Sequence, residues 1–85
     1  MVTKTALTQT EKRVLGYFWD TYLNGEVMIT PVQVRVQLKL DNFEAGRALE
    51  ALKQLGLIEE NKNFWLGLTP AGKNLADTIS DSTLQ

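Results

Sequence analysis

Residues 47–72 constrain this chain more than any other stretch. From Arg47 onward, Leu49, Leu52 and Leu55 recur at helical spacing up to Gly56, a residue suited to ending a helix. Two short apolar runs follow, Leu57 to Glu60 and Phe64 to Leu68, separated by Asn61-Lys62-Asn63. Thr69-Pro70 then carries a new helix start, threonine as cap and proline at the first helical position. The order is helix, hairpin, helix. Asparagine suits the positive backbone dihedrals of a tight turn, so the hairpin is expected to turn at Asn61-Lys62-Asn63. Alternation along the second run puts Phe64, Leu66 and Leu68 on the core face and Trp65 on the other.

Size and composition remove most chemistries. The 85 residues make one small domain with room for one modest core, and 44% of them are apolar. No segment approaches the ~20 consecutive apolar residues of a membrane span. No charged-then-apolar leader opens the chain, so a cytoplasmic protein is expected. Cysteine and histidine are both absent, which excludes disulfides, thiolate chemistry, cysteine-ligated zinc and the commonest general base. The remaining carboxylates, lysines, hydroxyls and two tyrosines form no nucleophile–base–orienter set. The expectation is a non-enzyme with no metal or cofactor. The net charge is −1 and the pI near 5.3, whereas strong nucleic-acid binders usually carry a basic excess.

Upstream, residues 1–7 read as a frayed terminus and Thr8-Gln9-Thr10-Glu11 as a capping box. Val14, Leu15, Phe18, Tyr22 and Leu23 then share one helical stripe ending at Asn24-Gly25, with Arg13, Asp20 and Thr21 on the wet side. Trp19 lies at the stripe's edge, placed for core packing or for a partner. Glu26 to Ile29 suits one small strand. Thr30-Pro31 with Gln33 reads as another capping box. Beyond it, Val32, Val34, Val36, Leu38 and Leu40 alternate with polar residues as in a strand, while Pro31, the cap and the Val34 to Leu38 spacing fit a helix. Local pattern leaves the two open.

Asp41 and Glu44 make a third capping box, opening a helix whose buried stripe is Ala45, Ala48, Leu49, Leu52 and Leu55. Its outer face carries Asn42, Phe43, Gly46, Arg47, Glu50 and Lys53. A short turn around Lys39 joins it to the preceding segment. If that segment is helical, the pair is a helix-turn-helix unit. The last helix has a narrow apolar face of Leu75, Ala76 and Ile79, and residues 80–85 read as a polar tail. The expected fold class is α+β, mainly α: a winged helix-turn-helix with a three-helix core, a small β-hairpin wing and a C-terminal helix, spanning residues 8–79.

These residues resemble the winged-helix domain of the MarR/PadR-type regulator group. Val34, Leu38 and Leu40 fit the first helix of the group's helix-turn-helix. Ala45, Arg47, Leu49, Leu52, Gly56, Leu57 and Ile58 fit its second helix, and Leu68-Thr69-Pro70-Ala71-Gly72 its wing-to-helix junction. The spacing holds without gaps across the helix-turn-helix, the resemblance covers about residues 8–79, and it selects helix for the ambiguous segment. The chain departs from the group in lacking room for its long dimerising terminal helices. Its wing carries Lys62 alone, preceded by Glu59 and Glu60, where the group often has several arginines.

The resemblance implies a DNA-binding transcriptional regulator, of prokaryotic or viral type, whose helix from Asn42 enters the major groove. Asn42 would then pair with adenine, Arg47 with guanine N7/O6, and Phe43 would pack on a thymine methyl. Arg35, Lys39, Lys53 and Lys62 are the phosphate candidates. Over residues 30–55, Arg35, Lys39, Arg47 and Lys53 stand against Asp41, Glu44 and Glu50, a net of +1. For Asp41 and Glu44 the plain alternative is capping. For Arg47 it is pairing with Glu44 or Glu50, and for Phe43 packing on the preceding helix. A homodimer through the first and last helices is expected from the two-fold geometry of such regulators. The other reading is an acidic protein-docking module using Phe43 and Trp65, since aromatics are enriched at interfaces.

Overall fold

The computed structural model describes the backbone of residues 7–84 and the side chains of residues 7–79. Seven elements follow one another: α1 (Gln9–Leu23), β1 (Met28–Ile29), α2 (Pro31–Leu38), α3 (Asn42–Gln54), β2 (Ile58–Glu60), β3 (Leu66–Leu68) and α4 (Pro70–Leu84). Helix α1 packs against α2, α3 and α4, and the small sheet closes the open side of this bundle. The sheet is antiparallel in the order β1-β3-β2, with Ile29 opposite Leu66 and Ile58 opposite Leu68. The hairpin is therefore widened by a third strand from the α1–α2 connection. No helix among the described residues is long and apolar enough to cross a membrane.

Local chemistry explains where the helices begin. The Thr8 hydroxyl accepts from the Glu11 amide (3.1 Å) while the Glu11 carboxylate accepts from the Thr8 amide (3.0 Å). Each bond satisfies an amide that the first helical turn leaves without a partner. Asp41 and Glu44 repeat the arrangement at α3. Thr30 caps α2 through the Gln33 amide, but no box closes there. The Gln33 side chain donates instead to the Tyr17 hydroxyl (3.0 Å) and to Glu26 (3.4 Å). Gly25 (φ 94°) and Gly56 (φ 75°) end α1 and α3 in the left-handed region, as their positions suggested.

The ambiguous segment is helical. Val34 is fully buried, Leu38 packs partly against the core, and Val32 and Val36 face outward. The apolar alternation is thus not a strand register: in a helix every fourth position shares a face, so Val34 and Leu38 turn inward while Val32 and Val36 turn out. The core joins Val14, Leu15 and Phe18 of α1 to Ala45, Ala48, Leu49 and Leu52 of α3, with Ile29, Ile58, Leu66 and Leu68 from the sheet.

Several expected positions differ. Thr21 is buried rather than wet, its hydroxyl donating to the Phe18 carbonyl (3.0 Å) so that no polar group is left unpaired. Leu23 and Leu55 are exposed because each sits where its helix ends and the stripe loses its register. Phe64, expected in the core, lies in the wing loop and is exposed. The positive dihedral of that loop also falls on Phe64 (φ 67°) and not on its asparagines. Helix α4 continues through Leu84, past the end expected at residue 79. The expectation of a frayed terminus lies outside the described residues except at Leu7, which packs against the core.

Candidate nucleic-acid interface

The connection between α2 and α3 is three residues long, and three interactions hold it. Lys39 ends α2 in the left-handed conformation (φ 57°, ψ 45°), and the Leu40 amide donates to the Arg35 carbonyl (3.0 Å). Leu40 is buried, which anchors the turn to the core. Arg13 on α1 donates from Nη2 to the Leu38 carbonyl (3.0 Å), satisfying a carbonyl that the end of α2 leaves open. Nothing in the spacing of Arg13 reveals this role. It becomes visible only when α1 and α2 are placed side by side.

Helix α3 then presents Asn42, Phe43, Gly46 and Arg47 to solvent from its first two turns. Phe43 is 70% exposed and does not pack on α2. The Arg47 guanidinium lies 5.5 Å from the centre of the Phe43 ring, one helical turn away, and takes this cation–π contact in place of a pair with Glu44 or Glu50. Together the two form a planar, cationic and apolar pair on the outer face. Arg35 on α2 and Lys39 in the turn supply further positive charge, Lys39 exposed and Arg35 half-buried. Lys62 is exposed on the wing.

The acidic residues of this region are largely engaged within the molecule. The Asp41 carboxylate accepts from the Glu44 amide at 2.7 Å, and Glu44 accepts from the Asp41 amide at 3.3 Å. Lys53 bonds Glu60 of β2 at 3.0 Å and lies 3.6 Å from Glu50, whose carboxylate also accepts from Gln54. The hydrogen bond that Lys53 donates to Glu60, aided by the charges of both carboxylates, outweighs desolvation and raises the Lys53 pKa above its ordinary value. The sign follows: a raised lysine keeps the pair intact at neutral pH and releases it only as pH rises through the raised value. Of the seven candidates from sequence, Lys53 is the one tied elsewhere. It is a strut between α3 and the wing. Asn42, Phe43 and Arg47 are brought together, Arg35 and Lys39 flank the turn, and Lys62 stands apart on the wing.

The capping role of Asp41 separates from its charge by substitution. Asp41→Ser retains a cap and is expected to leave stability within about 0.5 kcal/mol, whereas Asp41→Ala should lose about 1 kcal/mol. Urea denaturation of the two variants checks this. Equal loss in both would mean that the carboxylate charge at the helix start, and not the cap, is what stabilises α3.

Among the described residues no cluster of acidic side chains could hold a metal ion. No protein-family model and none of the curated proteins matches the chain. Solved structures do. A mutant of ZitR from Lactococcus lactis superposes with a TM-score of 0.74 at 19% identity, covering 99% of this chain and 60% of the other. A mutant of MepR from S. aureus gives 0.69 at 22%, covering 93% and 62%. The reduced form of MarR from E. coli gives 0.60 at 22%, covering 82% and 61%. The chain thus spans about three fifths of the length of these structures. At such low identity the agreement speaks for architecture. The fold of this chain is a MarR-like winged helix.

Proposed function

We propose that the chain is a transcriptional regulator that binds duplex DNA through the outer face of α3, with the wing as a second contact. The observation that carries this reading is the exposed Asn42-Phe43-Arg47 group at the start of a helix-turn-helix second helix, with nearby carboxylates taken up by caps and by Lys53. Sequence charge alone spoke mildly against DNA. Asp41 and Glu44 keep their charge but serve as caps, and Lys53 offsets part of the charge of Glu50 and Glu60, so Arg35, Lys39, Arg47 and Lys62 are the groups this reading assigns to phosphates or bases.

In this reading the N-terminal turns of α3 enter the major groove. Arg47 meets guanine N7/O6, Asn42 meets adenine, and Phe43 packs on a thymine methyl. Arg35, Lys39 and Lys62 contact phosphates and set orientation. Lys53 reaches a phosphate only by leaving Glu60. Regulation would be steric, a homodimer covering two half-sites. Sedimentation equilibrium showing only monomer at high concentration would remove the dimer.

Fluorescence anisotropy with a pool of random duplexes tests the reading. Binding is expected at low salt and should fall with a log–log slope of about −2.7 per protomer, roughly −5 for a dimer, as about three phosphate contacts per protomer require. On a duplex selected from the pool, Arg47→Ala should weaken binding about ten- to a hundredfold, the worth of one bidentate base contact. Absence of binding at low salt by folded protein would end the DNA reading. The docking alternative, through Phe43 and Trp65, would take its place.

A further inference from the structure

The wing loop between β2 and β3 is built to hold one aromatic ring in solvent. The Asn61 side chain accepts from the Asn63 amide (2.8 Å) and the Trp65 amide (3.0 Å). The Asn61 amide donates to the Trp65 carbonyl (2.9 Å), and the Phe64 amide to the Asn61 carbonyl (3.0 Å). Four hydrogen bonds over five residues leave this loop little freedom. Phe64 sits within it at φ 67°, a region a bulky side chain rarely adopts. Core burial does not explain that conformation, because Phe64 is 70% exposed and Trp65 beside it 42%. Strained residues of this kind concentrate where a protein meets its ligand.

The loop also has a fixed relation to α3. The Lys53–Glu60 pair joins the last turn of α3 to the end of β2, directly before Asn61. Lys62 is the loop's one cation, and Phe64 is its most exposed large apolar side chain. This composition is poorly suited to tracking phosphates by charge. It is suited to entering a groove with an apolar edge.

We propose that Phe64 is an apolar wedge that inserts between base pairs of the DNA held by α3, with Lys62 on the adjoining phosphate. Side chains used this way unstack a base step from the minor groove and bend and unwind the duplex. An aromatic ring is apt for the role, since every base offers it a stacking face irrespective of sequence. The proposal rests on the DNA-binding reading and adds to it a deformation that α3 alone does not produce.

Two measurements on the full chain separate the proposal from the reading beneath it. Anisotropy on the random-duplex pool reports binding. Relaxation of closed circular plasmid by topoisomerase I in the presence of protein reports unwinding, without knowledge of any operator. The variants are Phe64→Ala, Phe64→Gly, which suits the positive φ and so preserves the loop, and Phe64→Trp, which retains an aromatic wedge. The native chain and Phe64→Trp are expected to shift the topoisomer distribution. Phe64→Ala and Phe64→Gly should still bind the pool, about tenfold more weakly, and leave the distribution unshifted at saturating protein. A Phe64→Gly protein that unwinds plasmid as well as the native chain overturns the wedge and leaves DNA binding standing. So does native protein that binds the pool without shifting the distribution. No binding by the native chain overturns both.

Discussion

Replacing Gly72 with alanine is expected to lower the melting temperature by about 15 °C. An alanine Cβ at this position would overlap the Leu57 carbonyl oxygen and stand 2.9 Å from the carbonyl carbon and 3.2 Å from Leu68 Cδ2. The obstacle is backbone, which cannot rotate away as a side-chain end can. The same Leu57 carbonyl accepts from the Thr69 amide (3.1 Å), so it is held in place from the α4 side. Thr69 adds a second tie: its hydroxyl donates to the Gly56 carbonyl and accepts from the Gly72 amide (3.0 Å). The Leu68-Thr69-Pro70-Ala71-Gly72 motif therefore locks the first turn of α4 against the end of α3 and the start of the wing. Forcing these apart should cost about 3 kcal/mol, and in a domain of this size each kcal/mol moves the midpoint by about 4–8 °C. Gly16→Ala is the matched control. It lies inside α1 with nothing within 4 Å of the new methyl, so the same substitution should stabilise by about 0.5–1 kcal/mol through helix propensity. Calorimetry of the two proteins checks both signs. A Gly72→Ala protein melting with the native chain would mean that the α4–wing contact has room for a methyl group at the Leu57 carbonyl.

That motif illustrates what the sequence makes legible. Its threonine and proline announced a helix start, and the caps at Thr8, Thr30 and Asp41 did the same, because each acts within three residues of itself. Why position 72 has to be glycine could not be read from spacing, since the reason is a carbonyl fifteen residues away. The same limit governs the misplaced residues. Helical periodicity placed Leu23 and Leu55 inside, but both sit where the helix gives way to a turn. Strand alternation placed Phe64 inside, but Asn61 binds the Asn63 and Trp65 amides and the loop runs on past Phe64 and Trp65, so that β3 starts only at Leu66. On the candidate interface, sequence identified the exposed face of α3 with Phe43 and Arg47 on it, but not the contact between the two. It could not foresee that Lys53 would reach across to Glu60, or that Arg13 would clamp the turn, because both depend on elements meeting in three dimensions.

Leu52→Ala should bring the native state close to its limit while leaving the surface proposed to face DNA intact. Leu52 is fully buried in the last full turn of α3, in the cluster that joins α1, α3 and the sheet. Truncation removes the transfer energy of the lost atoms and leaves a cavity that close packing prevents from collapsing fully, at a cost of about 2–5 kcal/mol. A domain of this length has roughly 4–13 kcal/mol in total. The urea midpoint should therefore drop steeply, with an unchanged slope because the surface exposed on unfolding is the same. Arg47→Ala is the converse case. Its side chain is exposed on the outer face of the same helix, with its guanidinium over the Phe43 ring, so the midpoint should hardly move while affinity for DNA is expected to fall. If affinity corrected for the folded fraction is unchanged in Leu52→Ala and stability is unchanged in Arg47→Ala, one face of α3 builds the domain and the other reads the ligand. A Leu52→Ala protein that is fully folded yet binds less tightly would contradict that division. The packing beneath α3 would then set the pitch at which Asn42 and Arg47 meet the groove.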